Sequence, residues 1–379
     1  MRRPSPERLM NARVLARSPT AGEAVPGEEF RDDLRPVAAA AAGRGNAAAR
    51  RVLSAAELLP LTTLNDARSA LAVLQTFGVI AAAIALSLWL GPTPWLLLAV
   101  LVIGVQQHGL FILAHEAAHY RLFGRRWLNE AVGRFVGMAG GVSMCTYRVI
   151  HRLHHNNLYT DEDPDTAIHG GYPRGVAYLW RKLAQDLVGW NAWKTYAYFF
   201  GAPAINEQTQ RAARPLDDTS PQLRAAARAD RWWVIGFHVA APVLCFVAAG
   251  APGLAWYAVL WLLPLLTVLQ PILRLRAICE HGAVTDLSSP LTAARCNRTW
   301  GSPGNVLARA LLFPHHVNHH LEHHLYPAVP HYHLRRLNQM LLDKGVLQGA
   351  EVRDVVDTLR LIFAPRPPRR PPLSNRTPA

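Results

Sequence analysis

The chain is 379 residues long, 50 % hydrophobic, and carries 40 Lys and Arg against 26 Asp and Glu, a formal charge of +14. That balance suits nucleic acid or an anionic membrane surface, but the basic residues gather outside long uncharged apolar runs, which speaks for the membrane and against a nucleic-acid partner. Cys145, Cys245, Cys279 and Cys296 lie far apart with no CxxC pair, which excludes a zinc ribbon or thioredoxin-like motif and leaves free thiols.

In chain order, residues 1–55 are rich in Ala, Arg, Gly and Pro without a sustained period and read as a flexible basic arm. Glu28, Glu29, Asp32 and Asp33 speak against an organelle transit peptide, and the Ala-rich stretch broken by Arg44 and Gly45 is too short for a signal-peptide core. Residues 56–364 are expected to form one membrane domain. Within it, Leu71–Leu90 and Pro94–Ala114 are uncharged runs of the length that crosses a hydrocarbon core of roughly 30 Å. Trp232–Ala249 and Leu254–Leu275 form a second pair. The links Gly91–Thr93 and Gly250–Gly253 are tiny and uncharged, as expected for helices that cross and return. Residues 132–144 and 176–200 are moderately apolar and are expected to lie at the interface. Residues 365–379 read as a disordered Pro- and Arg-rich tail.

The predicted fold is therefore all-α and integral to the membrane, with four long transmembrane helices and additional interfacial helices. Four crossings put the N-terminal arm, the loop between Tyr120 and Arg231, and everything after Arg276 on one side. The basic bias makes that side cytoplasmic. The Arg- and Ala-rich composition points to a bacterial inner membrane.

Histidine carries the chemistry. His115 and His119 are spaced i, i+4, so one helix face presents both rings to one metal. His151, His154 and His155 are spaced i, i+3, i+4, which is expected to put all three on one helix face, and His320, His323 and His324 repeat that spacing. His281 follows the fourth apolar run. All of these fall on the same side of the membrane. Eight or nine histidines exceed the ligands of one zinc ion, and two metals with positions left open would suit O₂ activation. His169, His238, His331 and His333 read as structural or interfacial residues, and His108 as a polar packing residue within the second run. His115-Glu116-Ala117-Ala118-His119 also matches the HExxH zinc-protease signature, but a protease leaves the other two clusters unexplained.

Three stretches, HEAAHYRLF from His115, HRLHHNNLYTDEDPD from His151 and NHHLEHHLYPAVPHYHL from Asn318, resemble the histidine boxes of the membrane fatty acid desaturase superfamily. The resemblance runs from about His108 to Leu341. It implies a cytosolic histidine-rich cap holding two non-haem irons, with O₂ as co-substrate and a lipid acyl chain as substrate. The implied ligands are His115, His119, His151, His154, His155, His320, His323 and His324. His281 matches an extra histidine that many members place after the last span, and His316 or His319 could replace it. No HPGG haem-binding segment is present, so an external donor of the ferredoxin or cytochrome type is expected to supply electrons. Glu116, Asp161, Asp163, Asp165 and Glu322 are candidates to accept the outer N–H of ligand imidazoles, with a turn-forming role equally open for the three aspartates. Desaturation is the expected reaction. A lipid, carotenoid or alkane hydroxylase or ketolase is the alternative, and an intramembrane zinc protease a distant one.

Overall fold

The structure, a computed structural model, describes residues 52–365 apart from 161–162, 206–211, 215, 217–218, 285–286 and 288. Nearly all of the expected basic arm, the tail beyond Pro365 and Asp161 lie outside the described residues.

The described chain is mostly helical. Helix α1 (Ala55–Thr62) starts with a reciprocal cap in which Ser54 and Glu57 satisfy each other's backbone N–H. Helices α2 (Asp66–Leu90) and α3 (Trp95–Ala118) form a hairpin closed at Gly91, whose φ of 69° suits glycine. Exposed Leu71, Leu74, Trp89, Leu97 and Leu98 give this pair the apolar outer surface that a lipid environment requires. Helix α4 (Arg126–Ala139) packs on the far end of α3. A Cβ on Gly133 would lie 2.6 Å from the Ala117 Cβ, so the absent side chain sets this close approach beside His115 and His119.

After α5 (Met144–Asn156), α6 (Val176–Leu187) and α7 (Ala192–Phe199) comes the third long apolar segment, Pro221–His281. Together with α2 and α3 it makes three helical segments long and apolar enough to cross a membrane among the described residues. Its first part, α8 (Pro221–Tyr257), turns back at Gly250 (φ 61°, ψ −148°). The His238 ring and the Tyr257 hydroxyl, 19 positions apart, approach to 3.4 Å, where a straight helix would separate them by about 28 Å. Past the reversal the helix loosens into a π-turn at Ala258–Leu262 and breaks near Thr267. Carbonyls freed there are not left bare. Gln107 donates to Trp261 O (2.9 Å), while Gln270 (2.8 Å) and the Tyr196 hydroxyl (3.0 Å) donate to Leu265 O. Helix α9 (Leu269–His281) completes the segment.

The remainder lies against the His281 end of α9. A strand at Cys296–Arg298 pairs in parallel with Val352–Asp354, and α10 (Pro303–Leu312), α11 (His320–Leu325), α12 (Leu334–Asp343) and α13 (Val355–Ile362) surround it. Exposed Trp127, Trp180, Trp190, Trp193, Trp232 and Trp233 are of the type that settles at membrane–water interfaces. All four cysteines are free.

Candidate metal centre

Every histidine of the three boxes, together with His281, is at most 7 % exposed. The nine rings sort into two clusters. His115, His119, His151, His155 and His323 form one, and His154, His281, His320 and His324 form the other. The i, i+3, i+4 triplets were expected to act as single faces, and the structure divides them. Residues four apart on a helix lie about 40° apart around its axis, whereas the i+3 residue points roughly 100° away from i+4. The i, i+4 pair of each triplet therefore enters one cluster and the i+3 ring enters the other: His151 and His155 against His154, and His320 and His324 against His323.

Local structure holds each contributor in place. His115 and His119 come from the C-terminal end of α3 and His281 from that of α9, where the helix dipole favours a cation. Helix α5 is capped from a distance. Asp230 on α8 accepts the Cys145 backbone N–H (2.9 Å), the Ser143 hydroxyl (3.1 Å) and Arg134 (2.8 Å). Helix α11 follows a strained turn in which His315 and His316 take φ of 52° and 60°.

Ring nitrogens meet edge to edge. In the five-membered cluster, His151 Nε2 lies 2.7 Å from His119 Nε2 and 2.9 Å from His155 Nε2, and His323 Nε2 lies 3.1 Å from His155 Nε2. In the four-membered cluster, His281 Nε2 lies 3.1 Å from His154 Nε2 and 2.8 Å from His320 Nε2, with His324 Nε2 at 3.0 Å from His320 Nε2. The Nδ1 of His281 faces the Ala293 carbonyl (3.3 Å), which can only accept, so that nitrogen holds the proton and Nε2 presents a lone pair. One proton can bridge two nitrogens but not four that converge. A bound cation satisfies all of them, so both clusters fit a metal. The clusters touch, with His155 and His324 stacked at a centroid distance of 4.2 Å.

The carboxylates divide by role. Asp163 makes two sets of contacts. It accepts from His154 Nδ1 (3.0 Å), and it ties its own loop through the backbone N–H groups of Tyr159 (2.9 Å) and Asp165 (3.0 Å) and the Thr166 hydroxyl (3.0 Å). Burial pushes His154 down, but Asp163 and Asp165 outweigh it and bring the imidazole up to about 9. The same field favours a cation on its Nε2. Burial raises Asp163, yet His154 and the surrounding hydrogen bonds hold it below the ordinary range. Asp165 stands 3.7 Å from His154 Nδ1 and accepts from the Tyr198 hydroxyl. Burial drives His151, His155, His320, His323 and His324 well below 6.5, which leaves them neutral and able to ligate.

Glu116 contacts His115 Nδ1 (3.3 Å) with one oxygen and accepts the His331 backbone N–H (2.8 Å) with the other. It thus stands behind the ring, on the side away from Nε2, and not where a protease base would meet a metal-bound water. Glu322 is fully buried but turned from the clustered rings. It accepts from Asn338, and its nearest histidine is His319 at 3.8 Å. His319 joins Cys296 and Glu322 in a separate group, and His316 enters neither cluster. His108 is buried outside both.

Sequence reasoning missed two residues. Glu280 reaches within 3.6 Å of His320 Nδ1 and is held by Arg276 Nε at 2.8 Å. Its position one before His281 and four after Arg276 was the available signal. His169 is not an interfacial anchor. It is 1 % exposed, between Tyr159 and His281 at ring-centroid distances of 5.1 and 4.9 Å, with Asp163 at 3.7 Å. No periodicity marked it.

A profile of the fatty acid desaturase family matches residues 87–355, which include both clusters. The chain belongs to the fatty acid desaturase family. It is 27 % identical over 298 residues to dihydrorhizobitoxine desaturase of Bradyrhizobium elkanii, covering 76 % of this chain and 79 % of that one. It is 24 % identical over 196 residues to a bifunctional fatty acid conjugase/Delta(12)-oleate desaturase of Punica granatum, covering 47 % and 46 %. A beta-carotene ketolase of Paracoccus sp. (strain N81106 / MBIC 01143) is 40 % identical over 82 residues, covering 20 % and 34 %. As a family member the chain is an oxidoreductase, and membership brings the membrane setting.

Proposed function

We propose that this desaturase-family oxidoreductase removes hydrogen from a fatty acyl chain with O₂, using two non-haem irons. His115, His119, His151, His155 and His323 would hold one iron, and His154, His281, His320 and His324 the other. The observation that carries this reading is the edge-to-edge convergence of Nε2 atoms in two adjoining buried clusters. When bound, the iron pair supplies O₂ activation strong enough for an unactivated methylene.

The protein's own part is placement and exclusion. Asp163 fixes the tautomer and angle of His154, Ala293 O does the same for His281, and Glu116 backs His115. Near-complete burial of the nine rings keeps bulk water from the reacting atoms. The reversal at Gly250 supports four crossings, with the histidines and both termini on the cytoplasmic side of a bacterial inner membrane. An external ferredoxin or cytochrome would deliver electrons there.

Untargeted lipid mass spectrometry on cells expressing the chain, with His154→Ala as control, tests the reading. A loss of two hydrogens from an acyl lipid in wild type alone is expected. The 40 % identity to a ketolase favours one second reading, oxygen insertion, and a gain of oxygen instead would establish it.

A further inference from the structure

Arg295 is 0 % exposed and is the largest fully buried side chain among the described residues. Its guanidinium gathers three carbonyls around the end of α9. Nη1 donates to Cys279 O (2.9 Å) and Gly282 O (3.0 Å), and Nη2 donates to Ala283 O (3.2 Å). Nε and Nη2 also reach Glu351 at 3.2 and 3.0 Å, which neutralises the buried charge. The backbone N–H of Arg295 donates to Glu280 O (2.8 Å). A helix end leaves carbonyls without partners, and the five-donor fork of arginine is the side chain that can take several at once. Here those carbonyls flank His281. The turn they form includes Ala283 at φ 55°, a left-handed conformation that alanine rarely takes unaided.

Two neighbours extend the clamp. Asn297, on the same face two residues on, donates to Cys279 O (3.0 Å), and its backbone N–H donates to Asn318 O (2.9 Å), two residues before His320. Ala293, two residues earlier, offers the carbonyl that fixes His281 Nδ1.

We propose that Arg295 is a positioning residue for the four-histidine cluster, fixing the backbone that aims His281 Nε2 at His154 and His320. The inference rests on His281 being a metal ligand. The test is iron per chain, with thermal melting as the check on folding, for the full chain purified as wild type, His281→Ala and Arg295→Met. Because Arg295→Met strips Glu351 of a buried partner, Arg295→Met/Glu351→Gln is measured beside it. Wild type should hold two irons, and both Arg295 variants should hold one, as His281→Ala does, while still melting cooperatively. Retention of two irons, loss of both, or failure of both Arg295 variants to fold would each overturn the proposal, since Arg295 would then serve neither this cluster nor it alone. A wild type without two irons would instead remove the di-iron reading, and it is measured first.

Discussion

The two histidine clusters sit side by side yet are built by different means. The five-membered one is assembled from helices α3, α5 and α11, with a glycine at Gly133 letting α4 close on α3 behind it. Glu116 backs it at His115. The four-membered one takes its rings from α5, α9 and α11, but depends on further groups gathered around them: Asp163 and Asp165, the Arg276–Glu280 pair, the Ala293 carbonyl and Arg295. Helical spacing aims the first cluster, while a network of carboxylates, carbonyls and a buried guanidinium aims the second.

That contrast can be broken at several points. Replacing a ring of the five-membered cluster, as in His119→Ala, removes one of its five converging nitrogens. Turnover should fall by more than about 100-fold, beyond the usual effect of losing a ligand's supporting residue. Asp163→Asn leaves a neutral group on His154 Nδ1 and unties the loop. Metal affinity or activity should drop about 10–100-fold, with the iron lost coming from the four-membered cluster. Gly133→Ala drives a methyl against Ala117 and should lower stability by about 1–3 kcal/mol in a thermal or denaturant melt, loosening α4 from α3 before it affects the network-built cluster. Glu322→Gln should change activity least, by less than about threefold, because one of its oxygens accepts from Asn338 and the other lies nearest His319, outside both clusters. A large effect there with Glu280→Gln silent would reverse the roles assigned to the two glutamates.

What could be read from the sequence follows the same division. The apolar runs are long and uncharged, so α2, α3 and the segment up to His281 were foreseeable from hydropathy, and the Gly250 reversal from the tiny uncharged link that follows it. Box histidines announced themselves because helical spacing is local. The sorting of His154 and His323 away from their neighbours was not legible, since it depends on where the other helices stand. Glu322 looked like Glu116 in sequence, each lying between box histidines, but helix phase turns one toward a ring and the other toward Asn338. His169 and Arg295 act through tertiary contacts that leave no local pattern, whereas Glu280 was marked by its place beside His281 and four after Arg276.

The most direct test of the central claim is the metal content of the purified full-length chain, iron and zinc counted together. Two irons per chain with negligible zinc would agree with two adjoining histidine clusters acting as one redox centre. A single zinc, or metal bound without iron, would contradict it.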